Sequence, residues 1–169
     1  MYQMTTGQDL PRKGRAWPSL VVFIAICLVV QLAGGILTGT SVDTWYPTLE
    51  KPKWNPPGWV FGPVWTVLYV SMAFAGWLIW RQRSLRNVRP ALVLFGIQLS
   101  LNLVWSVLFF GMRNPMLAFY DIILLWVAIL LTTIAFWRLR PKAGLLLLPY
   151  LAWVGFAALL NFSIWRMNA

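Results

Sequence analysis

The chain has 169 residues, 60% of them hydrophobic, and its 11% charged residues fall well below the roughly 25% of an average soluble domain. Fourteen Lys and Arg against four Asp and Glu give a formal net charge of +10, with no histidine and one cysteine. This composition excludes His/Cys zinc sites, Ser-His-Asp triads, histidine-ligated haem and any disulfide within one chain.

Five apolar windows, 19–39, 59–80, 91–112, 116–137 and 143–165, are long enough to cross a bilayer, which takes roughly 20 residues. Each is a continuous run, not a ten-residue alternation, which predicts helices and not a transmembrane β-barrel. The expected fold class is an all-α integral membrane protein: a cytoplasmic tail over 1–18, then a single bundle of five transmembrane helices over 19–169. With five spans, one side carries ten Lys and Arg (Arg12, Lys13, Arg15, Arg81, Arg83, Arg86, Arg89, Arg138, Arg140, Lys142). The other side carries four (Lys51, Lys53, Arg113, Arg166). The positive-inside rule then puts the N-terminus in the cytoplasm and the 40–58 loop and C-terminus outside. The positive charge thus reads as topology information and not as a nucleic-acid surface.

The first window follows Arg12, Lys13 and Arg15, so a secretory signal is the alternative to a first span; signal cores usually run about 7–15 residues, and this run is longer. Cys27 reads as a small packing residue, and Gly34-Gly35 as a place where helices approach. The loop that follows carries Pro47, Pro52, Pro56 and Pro57, which rule out a regular helix and stiffen the free chain. Its tryptophans Trp45, Trp54 and Trp59 suit an interfacial belt; four close prolines suit a rigid lid over the outer end of the bundle.

In the second window Trp65 and Tyr69 lie one turn apart. In the third, Gln98, Asn102 and Trp105 share a face, since at 100° per residue they fall at about 0°, +40° and −20°. In the fifth, Trp153, Ala157 and Asn161 share a face. Asn102 and Asn161 are either interhelical hydrogen-bond glue or the polar points of a cavity walled by aromatics. Asp121, the acidic residue of the fourth window, reads as a structural ion pair with a cation of the outer side, or as a proton- or substrate-contacting group. On the far side of the third helix, at about 140–200° by the same rule, Gly96, Ser100, Leu103 and Val107 form a small-residue face. That face suits a homodimer or a neighbouring helix.

"WYPTLEKPKWNPPGWVFGPVWTVLY" (45–69), "QLSLNLVWSVLFF" (98–110) and "PYLAWVGFAALLNFSIWRMN" (149–168) resemble the three signature blocks of the translocator protein, or tryptophan-rich sensory protein, family. The resemblance runs from Trp45 to Asn168. It implies a dimeric five-helix bundle, joined through the third helix, whose cavity binds porphyrins and drug-like hydrophobic ligands beneath the first long loop. Matched motif by motif, Tyr46, Pro56, Trp65, Tyr69, Asn102, Trp153 and Ala157 fall at family pocket positions, with Trp105 beside them on the face of Asn102. Trp65 and Trp153 also match the pair implicated in porphyrin photodegradation by some bacterial members, which makes them the candidate catalytic residues. The family's cholesterol motif is broken, because Phe162 stands in the tyrosine place although Arg166 remains, so cholesterol is not an expected ligand.

The function expected is a membrane tetrapyrrole-binding protein that transports, scavenges or senses porphyrins. No metal and no cofactor is required, and membrane lipid and a second copy of the chain are its partners. The setting expected is a bacterial cell membrane. The alternative is a light- and oxygen-dependent porphyrin-degrading enzyme, in which the bound porphyrin supplies the reactivity.

Overall fold

The computed structural model describes residues 17–83 and 87–169. The basic tail with Arg12, Lys13 and Arg15, and Arg86 of the second basic loop, lie outside the described residues. Five helices follow in order: α1 (Trp17–Val42), α2 (Phe61–Trp80), α3 (Val88–Ser106), α4 (Pro115–Leu139) and α5 (Pro141–Met167). All five are long and apolar enough to span a membrane. This is an all-α, multi-pass integral membrane protein, the architecture that satisfies backbone groups within each segment where hydrocarbon offers no partner.

The helices outrun several of the apolar windows because polar and proline residues set their ends. Pro115 and Pro141 open α4 and α5, where a missing amide hydrogen costs nothing. The Asn114 side chain caps α4, accepting from the Leu117 amide at 3.0 Å. α3 ends differently from the single helix expected over 91–112. Val107–Gly111 open into a π turn, a local widening that re-aims side chains, and Arg113 then turns the chain with a left-handed φ of 52°. The π turn buries Phe109 and Phe110, and the Phe110 carbonyl accepts from Ser41 Oγ of α1 at 2.8 Å.

Around the bundle the neighbours run α1–α2–α5–α4–α3 and back to α1. Toward the end of the bundle where α2 passes to α3, the interior is packed. Phe95 stacks on Phe136 with centroids 5.8 Å apart, and Met72, Ile79 and Phe136 have no exposed surface. Gly76 permits the close packing of α1 on α2 there, since a Cβ at that position would lie 2.8 Å from the Phe23 ring.

Candidate functional site

The half of the bundle beneath the first long loop is hollow. A cavity of about 620 Å³ lies between α1, α2, α3 with its π turn, and α5, while α4 contributes no lining residue. Its α1 wall is built from absence. Gly35 and Gly39 line it with nothing within 4 Å of where a Cβ would stand, whereas a Cβ on Gly34 would come 3.2 Å from Ser106 Oγ. Of the two glycines expected to bring helices together, one does so and the other makes space. Leu32 and Ile36, also lining residues, are 65% and 71% exposed, so the cavity reaches the surface beside α1. There Gln31 Nε2 donates to Thr66 Oγ1 at 2.9 Å and ties α1 to α2.

Hydrogen bonds hold the aromatic walls apart. The Tyr69 hydroxyl donates to Asn102 Oδ1 at 2.8 Å, and Asn102 Nδ2 donates to the Tyr150 hydroxyl at 2.9 Å. The chain therefore links α2, α3 and α5. Trp105 Nε1 donates to Asn161 Oδ1 at 2.9 Å, and Asn161 Nδ2 donates to the Pro115 carbonyl at 2.8 Å. With its edge fixed, the Trp105 ring stacks on Phe109 at 5.2 Å. Trp65 rests against Tyr69 and edge-on to Tyr150, at 5.8 and 6.3 Å.

The loop forms the roof. Pro47 stands in a short 3-10 turn over Tyr46–Thr48, which sets the Tyr46 ring against Phe109 and Phe110. The Tyr46 hydroxyl donates to Asn55 Oδ1 at 3.0 Å. Burial raises its phenol pKa above the ordinary value and the Asn55 bond offsets part of the rise, so the hydroxyl remains a donor. Lys51 folds back, giving its ammonium to the carbonyls of Tyr46 and Leu49, both at 2.7 Å, with its Nζ 4.8 Å from the Tyr46 ring centroid. At the end of α5, Asn168 clasps the loop: Oδ1 accepts from the Glu50 amide and Nδ2 donates to the Glu50 carbonyl, each at 2.9 Å.

The cavity brings together Tyr46, Trp65, Tyr69, Asn102, Trp105 and Ala157. Pro56 and Trp153 do not line it. Pro56 lies in the roof, where its carbonyl accepts from Asn55 Nδ2 at 3.2 Å. Trp153 faces a shallow groove on the α2–α5 seam with Pro63, Val67, Pro149 and Phe156. Phe61, itself a lining residue, packs edge-on against it at 5.9 Å. The Trp153 Nε1 is buried without a hydrogen-bond partner among the described residues. Asp121 is buried on α4, away from the cavity lining, and its Oδ2 has no hydrogen-bond partner among the described residues. Lys51, one of its expected partners, is occupied by loop carbonyls. On the outer side of α3, Gly96, Ser100 and Val107 are exposed and Leu103 is half-buried.

Three contributors had no place in the sequence reading of the site: the α1 wall, Tyr150 and the Asn168 clasp. The polar and small residues of α1, Gln31, Gly34, Gly35, Thr38 and Gly39, recur at helical spacing and carried a usable signal. Asn168 bonds a residue 118 positions away, which no local pattern encodes.

Five spanning helices, four of them around an aromatic, loop-roofed cavity, define a multi-pass membrane protein with an internal chamber. The chain belongs to the TspO/MBR family, whose model it matches over residues 23–166. It is 46% identical over 157 residues to the tryptophan-rich protein TspO of Chlorobaculum tepidum, covering 89% of this chain and 96% of that one. It is 43% identical over 150 residues to the TspO of Archaeoglobus fulgidus, covering 89% and 97%. To the human translocator protein it is 42% identical over 127 residues, 73% of this chain and 75% of that one.

Proposed function

We propose that the protein binds tetrapyrroles, protoporphyrin among them, and similar planar hydrophobic ligands in the roofed cavity, as a carrier, scavenger or sensor. The observation that carries the reading is a cavity of about 620 Å³ faced by Trp65, Trp105, Tyr69 and Tyr46, with Asn102 among its few polar points. Small-molecule sites are built this way, with apolar walls and few oriented polar groups, and broad rings gain by stacking on aromatic walls. Binding needs no axial histidine and no resident cofactor. Drug-like apolar ligands fit the same description, whereas cholesterol is not proposed, Phe162 standing in place of a tyrosine.

Titration of the purified protein with protoporphyrin IX, followed by tryptophan quenching and the porphyrin Soret band, should give a Kd on the order of micromolar, about −8 kcal/mol. Trp65→Ala should weaken it about tenfold or more through lost stacking and buried area. Wild-type affinity in that variant would remove the cavity from the proposal. The degradation alternative is separated by illuminating the complex in air: loss of the Soret band with turnover, abolished by Trp65→Phe, would favour an enzyme.

The orientation proposed has the loop and the C-terminus external, from the ten-to-four Lys and Arg split. The exposed Gly96 and Ser100 of α3 are proposed as a homodimer face, where small residues let helices approach. Gly96→Leu with Ser100→Leu should then give a monomer that still binds protoporphyrin; a double variant still dimeric in detergent would sink this interface.

A further inference from the structure

We propose that Tyr150 is a positioning residue for the ligand site, acting from behind the cavity wall to set how Asn102 and Tyr69 meet a polar group on the ligand. The proposal rests on the cavity being a ligand site. Tyr150 has no exposed surface and is not a lining residue, yet it touches two that are. Its hydroxyl accepts from Asn102 Nδ2 at 2.9 Å and its ring packs edge-on to Trp65 at 6.3 Å.

A primary amide offers two acceptor positions on Oδ1 and two donor positions on Nδ2. Tyr69 takes one of the first and Tyr150 one of the second. One acceptor and one donor position therefore remain on an amide held at both ends by residues of α2 and α5. The chain can also run the other way. Both phenols donate as readily as they accept, so with the amide turned over Tyr150 donates to Oδ1 and Nδ2 donates to Tyr69. In that order the Tyr69 hydroxyl hydrogen is released to a ligand acceptor; in the order seen here its oxygen is open to a ligand donor. Either order leaves every member bonded only because Tyr150 can play both parts. Phenylalanine at 150 keeps the ring against Trp65 and removes both orders at once. The ligand class this favours is a planar apolar molecule bearing a hydrogen-bonding edge group.

The test titrates the purified full chain with protoporphyrin IX, which carries peripheral propionates, and with octaethylporphyrin, which carries only alkyl groups. Tyr150→Phe should weaken protoporphyrin IX about five- to tenfold, the effect of one lost buried hydrogen bond. It should leave octaethylporphyrin within about twofold and add nothing further in an Asn102→Leu background, since the residue acts through that amide. Equal weakening of both porphyrins, full additivity with Asn102→Leu, or wild-type affinity for protoporphyrin IX would each overturn the proposal. If Tyr150→Phe fails to fold, Tyr69→Phe removes the other end of the same chain and must show the same selective loss. Trp65→Ala separates the two readings. Weakened binding there with an unaffected Tyr150→Phe rejects the positioning role alone, and unaffected binding in both rejects the ligand site with it.

Discussion

The two halves of the bundle are built from the same kinds of residue and end in opposite states. Where α2 passes to α3, Phe95 stacks on Phe136, and Met72, Ile79 and Phe136 have no exposed surface. Beneath the 43–57 loop, Trp65, Tyr69, Trp105 and Tyr46 are no less bulky and surround about 620 Å³. Polar restraint makes the difference. At the centre of the filled half, Phe95 and Phe136 have no hydrogen-bonding edge and stack directly on one another. In the hollow half, rings are anchored by Asn55, Asn102 and Asn161, and the facing stretch of α1 presents glycine. Aromatic content alone does not decide whether this bundle is solid or hollow; the hollow half is the one whose rings are bonded to amides and whose α1 wall is glycine.

The sharpest break in this comparison is a truncation in the filled half. Phe136→Ala should lower stability by about 3–5 kcal/mol, because a fully buried ring is removed from a packed interior. Thermal unfolding in detergent would show it, with protoporphyrin affinity per folded molecule changed far less. A small loss would mean that the filled half is not what holds the bundle together.

The next effect is on affinity and separates two tryptophans. Trp65 lines the cavity and Trp153 does not, so Trp65→Ala should weaken protoporphyrin about tenfold or more while Trp153→Ala stays within about twofold. Equal losses would show that the α2–α5 groove, and not the cavity alone, takes part in binding.

That pair also marks where sequence stopped being informative. Spans, helical class and the inward face of α3 follow from length and 100° periodicity, and they locate Trp65, Tyr69, Asn102 and Trp105. Trp153 and Ala157 are one turn apart on the same helix, yet Ala157 faces the cavity while Trp153 lies on the outer seam. Periodicity says that two residues share a side; it does not say where a neighbour such as Phe61 divides that side in two. α1 was only partly legible, for another reason. Its polar and small residues mark one face, but only the tertiary packing reveals that Gly35 and Gly39 front a void while Gly34 meets Ser106. The π turn at Val107–Gly111 changes which residues point inward, and no regular period anticipates it.

The smallest effect expected is kinetic and concerns the roof of the hollow half. Asn168 makes both of its bonds to the loop at the single residue Glu50, and its Nδ2 also reaches the Ile164 carbonyl at 2.8 Å. Asn168→Ala removes the two loop bonds while leaving the Lys51 tether and every lining residue in place. The bonds are exposed to solvent, so together they are worth about 1 kcal/mol, the low end for hydrogen bonds. A roof destabilised by that amount should open about fivefold more often. If ligands pass beneath the roof, protoporphyrin should then associate and dissociate faster by a similar factor, with its Kd nearly unchanged, because opening helps passage in both directions. Stopped-flow dissociation and hydrogen exchange at the Glu50 amide measure the two quantities separately. Faster exchange at Glu50 with an unchanged dissociation rate would show that ligands bypass the roof, and the exposed rim at Leu32 and Ile36 of α1 would then be the way through.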